Sequence, residues 1–286
     1  MRALLLPLIT LLAVPLPAPA NLQVTDDLDH RVTLEAPARR IVTLSPHATE
    51  LLLALGLESR LVAVADFTDY PRSLDGVPRV ASLGPLDRER LLLLRPDLVV
   101  AWASGNRPAD LRWLERIGIP VYRSEPRTLA EIAESLRKLA RLAGVPRAGA
   151  EAAGTFERAL EAACARRRNA PLLRVYYEIW PSPPMTLGGR HWLNEVLARA
   201  RLVNVFADVP AGIVTVSREA LLARPHDLVL TGNPEAAGGG SRVVPVDPTL
   251  ERPGPRIVEG LGQLCRNLPT GSSAATDRQA TPSGRD

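Results

Sequence analysis

Apolar positions in this chain recur first at every second residue and then at every third or fourth, and that switch repeats. Residues 22–35 (LQVTDDLDHRVTLE) alternate on either side of an Asp-Asp turn, which predicts a small hairpin. RRIVTLS (Arg39–Ser45) reads as a buried strand. PHATELLLALGL follows as a helix with Glu50 in its body and Gly56 at its C-terminal end. RLVAVADF is a second strand, LDRERLLLLRP a short helix, DLVVAW a third strand, PADLRWLERIG a helix and IPVYRS a fourth strand. Strand and helix alternating at this spacing predict a parallel sheet with helices on both faces.

A long helical region runs from Thr128 to Arg168, broken at GVPRAG, where Gly144 and Pro146 end one helix and begin the next. A second α/β unit follows: the strand LLRVYYEIW, the helix HWLNEVLARARL, the short helix VSREALLARP, the strands DLVLTG and RVVPVD, and the helix GPRIVEGLGQLCRNL. The expected fold is therefore α/β: two α/β lobes with mainly parallel sheets joined by a long interdomain helix. The lobes take residues 21–145 and 171–268, and the linking helix takes 146–170. A ligand is expected in the cleft between lobes, and a stiff helical link predicts small lobe motions. Residues 269–286 lack apolar side chains to bury and are expected to be disordered.

Residues 1–20 (MRALLLPLITLLAVPLPAPA) have a positive start, a short apolar run and small residues before a cut. This is the pattern of a secretory signal peptide, and its prolines and length argue against a membrane anchor. No cysteine follows the run, so the expected product is periplasmic and not lipidated. Hydrophobic residues make up 46% and charged residues 23%, as in a soluble domain. The net charge of +4 comes almost wholly from scattered arginines, Lys138 being the one lysine, so no nucleic-acid partner is expected. Cys164 and Cys265 are the two cysteines; they could pair in an oxidising compartment, but sequence does not show whether they meet.

Catalytic patterns are not found. His30, His47, His191 and His226 form no HxxxH or HExxH pair, so no metal site is expected. Ser45, in LSPHA rather than GxSxG, reads as a helix cap. The glycine-rich GNPEAAGGGS (Gly232–Ser241) leads into no phosphate-binding motif. One stretch occurs twice: DRERLLLLRPDLVV (Asp87–Val100) and SREALLARPHDLVL (Ser217–Leu230). Asp87 and Ser217 are candidate N-caps, and Glu89 and Glu219 fall in the first helical turns, where the helix dipole favours a carboxylate. An exported two-lobe chain without catalytic motifs points to a solute-binding protein rather than an enzyme.

From Arg39 to Leu268, RRIVTLSPHATELLLALGL, ADFTDYP, LRPDLVVAWASGN, WLERIGIPVY, PPMTLGG, VSREALLARPHDLVLTG and ERPGPRIVEGLGQLC occur in an ordered series. That series resembles the periplasmic cobalamin-binding proteins of ABC importers, within the helical-backbone class of solute-binding proteins. LSPxxTE…LG…YP alone is shared with siderophore- and haem-binding relatives. The resemblance implies capture of one corrinoid, without chemistry, and delivery to an ABC permease dimer at the inner membrane. It implies a monomer and no cofactor, cobalamin being cargo. Tyr70, Trp102, Met185, Asp247, Glu251 and Arg252 match ligand-contacting positions of that family, and Glu89 and Glu219 match surface glutamates that meet permease arginines. The chain departs from the pattern at Leu83, and near Gly212 and Ile213, where family members carry tryptophan, and Met185 stands for an aromatic. Trp180 and Trp192 are candidates to compensate. The family disulfide does not carry over: Cys265 holds one position, but Ala200 holds the other. A Cys164–Cys265 bond would tie the linking helix to the C-terminal helix. The alternatives are a ferric siderophore or haem on the same fold, with His47 or Tyr70 as the haem ligand, and, from another class, a periplasmic hydrolase or metal-binding protein.

Overall fold

The alternation at residues 22–35 closes as an antiparallel hairpin of β1 (Leu22–Thr25) and β2 (Arg31–Leu34), whose Val24, Val32 and Leu34 turn into the core. The structure is a computed structural model that describes residues 22–81, 84–233 and 242–269. Residues 1–21, with the stretch read as a signal peptide, residues 82–83 with Leu83, the glycine-rich 234–241 and the tail from residue 270 lie outside the described residues.

The first lobe is built on β3 (Ile41–Thr43), β4 (Leu61–Ala65), β5 (Arg79–Ala81), β6 (Leu98–Trp102) and β7 (Val121–Ser124). They form a parallel sheet in the order β5-β4-β3-β6-β7. Helices α1 (Pro46–Ala54), α2 (Arg88–Leu94) and α3 (Pro108–Arg116) connect the strands. Four of these strands are legible as apolar runs. β5 is not, because it is three residues long at the sheet edge with Val80 as its buried apolar side chain. Ser45 caps α1, its Oγ accepting the Ala48 N–H, with Pro46 in the first turn, where its missing N–H costs nothing.

The chain then forms the helix pair α4 (Leu129–Leu142) and α5 (Pro146–Ala163). Thr128 caps α4 through the Glu131 N–H, and Leu129, Ile132, Ala133, Leu136, Leu139 and Ala140 bury one stripe at helical spacing. Gly144, at φ +70°, makes the tight exit that lets α5 begin at Pro146.

The second lobe carries β8 (Leu173–Pro181), β9 (Pro184–Leu187), β10 (Leu202–Asn204), β11 (Ile213–Thr215), β12 (Leu228–Thr231) and β13 (Arg242–Pro245), with α6 (Leu193–Arg199), α7 (Arg218–Leu222) and α8 (Ile257–Asn267). Long β8 is the hub. It pairs in parallel with β10 and β12, β12 pairs with β13, and the far half of β8 folds back antiparallel onto β9, which pairs with β11. The sheet is thus mainly parallel, as expected, with an antiparallel edge at β9 and β11. β9, β10 and β11 are too short to show a period of two, and α6 ends at Arg199, before Arg201 takes φ +62° and Leu202 enters β10.

The repeated stretch does the same work twice. Asp97 accepts the Arg39 and Arg40 N–H groups at the start of β3 (2.8 and 3.0 Å), and its own N–H donates to Arg40 O. Asp227 accepts the Arg174 N–H at β8 (2.9 Å), and its N–H donates to Arg174 O. Each copy therefore closes the entry of a central strand pair, β3–β6 in one lobe and β8–β12 in the other.

One apolar cluster runs through both lobes. It joins Ile41, Leu51, Leu98 and Val100 to Leu136 and Leu139 of α4, Phe156 and Leu160 of α5, Val175 and Leu230 of the second sheet, and Leu261 and Leu264 of α8. A disulfide between Cys164 and Cys265, with Cα atoms 5.6 Å apart, ties the end of α5 to α8. It spans 101 residues, so reduction frees a long loop in the unfolded chain. Cys164→Ser/Cys265→Ser is expected to lower unfolding stability by about 2–5 kcal/mol, read as a lower denaturant midpoint with an unchanged far-UV spectrum. An unchanged midpoint would mean that the bond adds no stability.

Candidate functional site

The strand ends of the two sheets face each other across a cleft of about 570 Å3. From the first lobe come Trp102, at the end of β6, Ser104 just beyond it, and Glu125, Pro126 and Arg127, after β7. From the second come Tyr177 and Ile179 on β8, Leu187 on β9, the segment 190–193, and Gly212 and Ile213 at β11. Glu251 and Pro253 form the remaining edge. The walls are mostly apolar, which suits a broad ligand with a polar periphery.

Trp102 is a platform fixed from below. Its N–H donates to Asn106 Oδ1 (2.7 Å), and Asn106 Nδ2 donates to Leu44 O (2.9 Å). The indole lies over Gly105 so closely that a Cβ there would overlap the ring. His47 meets the indole edge-on at 5.9 Å. Both His47 nitrogens are taken, Nδ1 by Ser45 Oγ and Nε2 by Ser124 Oγ, each at 3.1 Å. Burial lowers the His47 pKa to about 4, so the ring is neutral at pH 7.

His191 lies in the opposite wall, stacked on Trp192 at 5.7 Å. Its Nδ1 accepts the Leu193 N–H (3.2 Å), so the proton sits on Nε2. Burial lowers its pKa to about 4 as well. Tyr177 donates its hydroxyl to Glu251 Oε1 (3.0 Å). The Glu125 carboxylate accepts from the Ser104 hydroxyl and N–H (2.9 and 2.8 Å).

Two bridges cross between the lobes beside the cavity. On one side Glu195 Oε2 accepts the Leu129 N–H (2.8 Å) at the start of α4. On the other, Arg252 forks onto Asp69 (2.7 and 2.8 Å) and reaches Glu50 Oε1 (3.2 Å). Arg256 stands 3.7 Å from the same Glu50 oxygen and stacks over the Tyr70 ring at 3.9 Å. Burial pushes the Glu50 carboxyl up despite Arg252, and its Oε2 has no hydrogen-bond partner among the described residues. The hydrogen bond from Arg252 holds Asp69 below the usual carboxylate range.

Of the six matched contact positions, Trp102 and Glu251 line this cavity. Met185 sits two residues before Leu187 on β9, on the same strand face. Asp247 caps the short turn Pro248–Glu251, accepting the Thr249 N–H (2.9 Å) and hydroxyl (2.6 Å), which hold its carboxyl below the usual range. Arg252 and Tyr70 belong to the interlobe bridge rather than to the cavity lining. Trp192 lines the cavity and Trp180 does not; the latter is exposed and donates to Ser182 O (3.0 Å). Gly212 and Ile213 lie in the wall. Tyr177, Arg190 and His191 were not singled out from sequence. The pattern YYEIW could have flagged Tyr177, since one tyrosine of such a pair must face the cleft side of the sheet. Glu89 and Glu219 are exposed in the first turns of α2 and α7, with Asp87 and Ser217 accepting the Arg90 and Ala220 N–H groups (3.0 and 3.1 Å). Among the described residues no group of three or more His, Cys, Asp or Glu could hold a metal, and no helix is long and apolar enough to cross a membrane.

Comparison with known proteins fits this geometry. Residues 41–249 match the periplasmic binding protein family. The vitamin B12-binding protein of Vibrio cholerae serotype O1 is 33% identical over 247 residues, covering 81% of this chain and 90% of its own length. The crystal structure of the periplasmic vitamin B12 binding protein BtuF of Vibrio cholerae matches with a TM-score of 0.71 and 32% identity, over 81% of this chain and 96% of that one. A periplasmic heme-binding protein from Pseudomonas aeruginosa matches with a TM-score of 0.70 and 26% identity, over 82% and 94%.

The buried neutral His47 makes stability depend on pH. Its native pKa lies below the unfolded value of 6.5, so its contribution is complete above pH 6.5 and is lost as the pH falls toward 4. The stability advantage of the native chain over His47→Gln is expected to shrink by up to ~3 kcal/mol between pH 7 and pH 4. Urea unfolding at a series of pH values measures it; a pH-independent difference would contradict the burial argument.

Proposed function

The chain belongs to the periplasmic binding protein family, and on that premise we propose that it captures cobalamin, or a related corrinoid, in the periplasm and delivers it to an inner-membrane ABC permease. The observation that carries this reading is the interlobe cavity. It is bounded by Trp102 on one lobe and Tyr177, Trp192 and Ile213 on the other, with polar groups at its rim. A corrin ring is a broad, largely apolar disc edged with amides, and such walls cover its faces while the rim meets its arms. Similarity to vitamin B12-binding proteins in both sequence and structure supports the same ligand. The protein supplies binding without catalysis and needs no cofactor, and the signal-peptide pattern at its N-terminus supports export without lipidation.

Haem capture is the second reading. Tyr70 favours it: the ring is exposed, and a tyrosine oxygen is one of the side-chain ligands that hold haem iron. His47 speaks against it, since both of its nitrogens are already bonded within the protein.

Isothermal titration with cyanocobalamin is expected to give a single site, and Trp102→Ala is expected to weaken it about tenfold or more. No binding at high micromolar ligand would sink the corrinoid reading. A haem absorbance band in protein purified from rich medium would favour the second.

Glu89 and Glu219 present the same charge once per lobe, as a two-fold permease would require. Glu89→Ala with Glu219→Ala is expected to weaken docking to permease in detergent or nanodiscs and to leave cyanocobalamin affinity unchanged. Loss of ligand binding in the double variant would place these glutamates in the ligand site instead.

A further inference from the structure

The cavity lining carries four charged side chains, and they are not alike. Both acids are engaged within the protein: Glu125 accepts twice from Ser104, and Glu251 accepts from the Tyr177 hydroxyl. The two bases, Arg127 in the first lobe and Arg190 in the second, line the same cavity. No hydrogen bond or ion pair is made by either guanidinium among the described residues. Elsewhere near the cleft the guanidiniums are committed, Arg252 to Asp69 and Glu50, and Arg256 to Glu259. Beside Arg190, the Nε2–H of His191 also has no acceptor among the described residues, its Nδ1 being used by the Leu193 N–H.

We infer that Arg127 and Arg190 form an anion subsite of the cavity, one guanidinium from each lobe, and that it takes a phosphodiester carried by the ligand. The inference rests on the corrinoid reading. Of the parts of a cobalamin, the corrin ring and its amide arms bring no anion, whereas the nucleotide loop brings one phosphodiester. A guanidinium is the side chain suited to phosphate, offering parallel N–H donors and a charge that stays on at all physiological pH. Placing one arginine on each lobe makes the phosphate a contact that both lobes share. The partnered acids matter as much as the free bases. With Ser104 and Tyr177 occupying their oxygens, Glu125 and Glu251 compete less for the arginines and leave them to the ligand. The site therefore distinguishes complete corrinoids from those that have lost the nucleotide loop, a discrimination that flat aromatic walls alone do not provide.

The test compares cyanocobalamin with dicyanocobinamide, which keeps the ring and amides and lacks the phosphodiester. Both are titrated into the native protein, Arg127→Gln and Arg190→Gln. Each substitution is expected to weaken cyanocobalamin binding about tenfold at low ionic strength and to leave dicyanocobinamide binding within about twofold. The preference of the native protein for cyanocobalamin should shrink as salt is raised. Both arginines are exposed and their guanidiniums have no partner among the described residues, so thermal unfolding of the variants should match that of the native chain and remove misfolding as an explanation. Unchanged cyanocobalamin affinity in both variants, or equal losses for the two ligands, would overturn the subsite while leaving corrinoid capture standing. Failure of the native protein to bind either corrinoid would instead overturn the corrinoid reading, and the subsite with it.

Discussion

The apolar core that passes without a break from one lobe to the other sets every other property of this molecule. α4 packs on α1 and the β1 strand, α5 on α4, and α8 on α5 and β13, so Leu136, Leu139, Phe156, Leu160 and Leu261 belong to one interior that continues from lobe to lobe. Burying such a side chain stabilises by roughly 1.5–3 kcal/mol, and swinging the lobes apart would expose several at once. The Cys164–Cys265 bond fastens the same seam covalently. The cleft is in consequence backed by a continuous interior, and parting the lobes would carry the cost of exposing it.

Charge is distributed in keeping with that continuity. A forked ionic contact between lobes lies beside the cavity, where Arg252 grips Asp69 and touches the buried Glu50. Glu50 is nearly free of water and would be costly there without a cation, so Arg252 and Arg256 offset its burial more than they add net stability. Inside the cavity the balance is different. Its histidine is held neutral and its acids already accept hydrogen bonds, whereas the two arginines keep their donors without acceptors among the described residues. The bridges set the distance between the walls, and the walls keep their polar groups for whatever enters.

The repeated stretch connects these levels. Asp97 and Asp227 each pin a central strand at its start, and the first helical turn of each copy exposes a glutamate on the outside of its lobe. The same dozen residues thus serve the interior of each sheet through the aspartate and the surface through Glu89 and Glu219. A single selective role would not explain both halves of the resemblance.

Sequence alone determined the elements with long periods: the hairpin, the strand–helix alternation of the first lobe, the helix pair broken at Gly144 and Pro146, and the N-caps at Ser45, Asp87 and Ser217. These follow from local physics, namely apolar spacing, a proline without an N–H, and side-chain oxygens that satisfy open helix ends. The short strands β5, β9, β10 and β11 did not show, because three or four residues cannot display a period and depend on neighbours for their hydrogen bonds. The site divided in the same way. Trp102 and Glu251 could be matched by position, yet only the fold set Tyr177, Arg190, His191 and Trp192 opposite them, from segments about 75 to 90 residues away along the chain from Trp102. Only the fold, too, turned Arg252 from a rim contact into an interlobe tie, since its partners Asp69 and Glu50 lie 183 and 202 residues earlier. Local sequence fixes what a segment prefers to be; which side chains share a cavity is settled by long-range packing, and no window of sequence contains it.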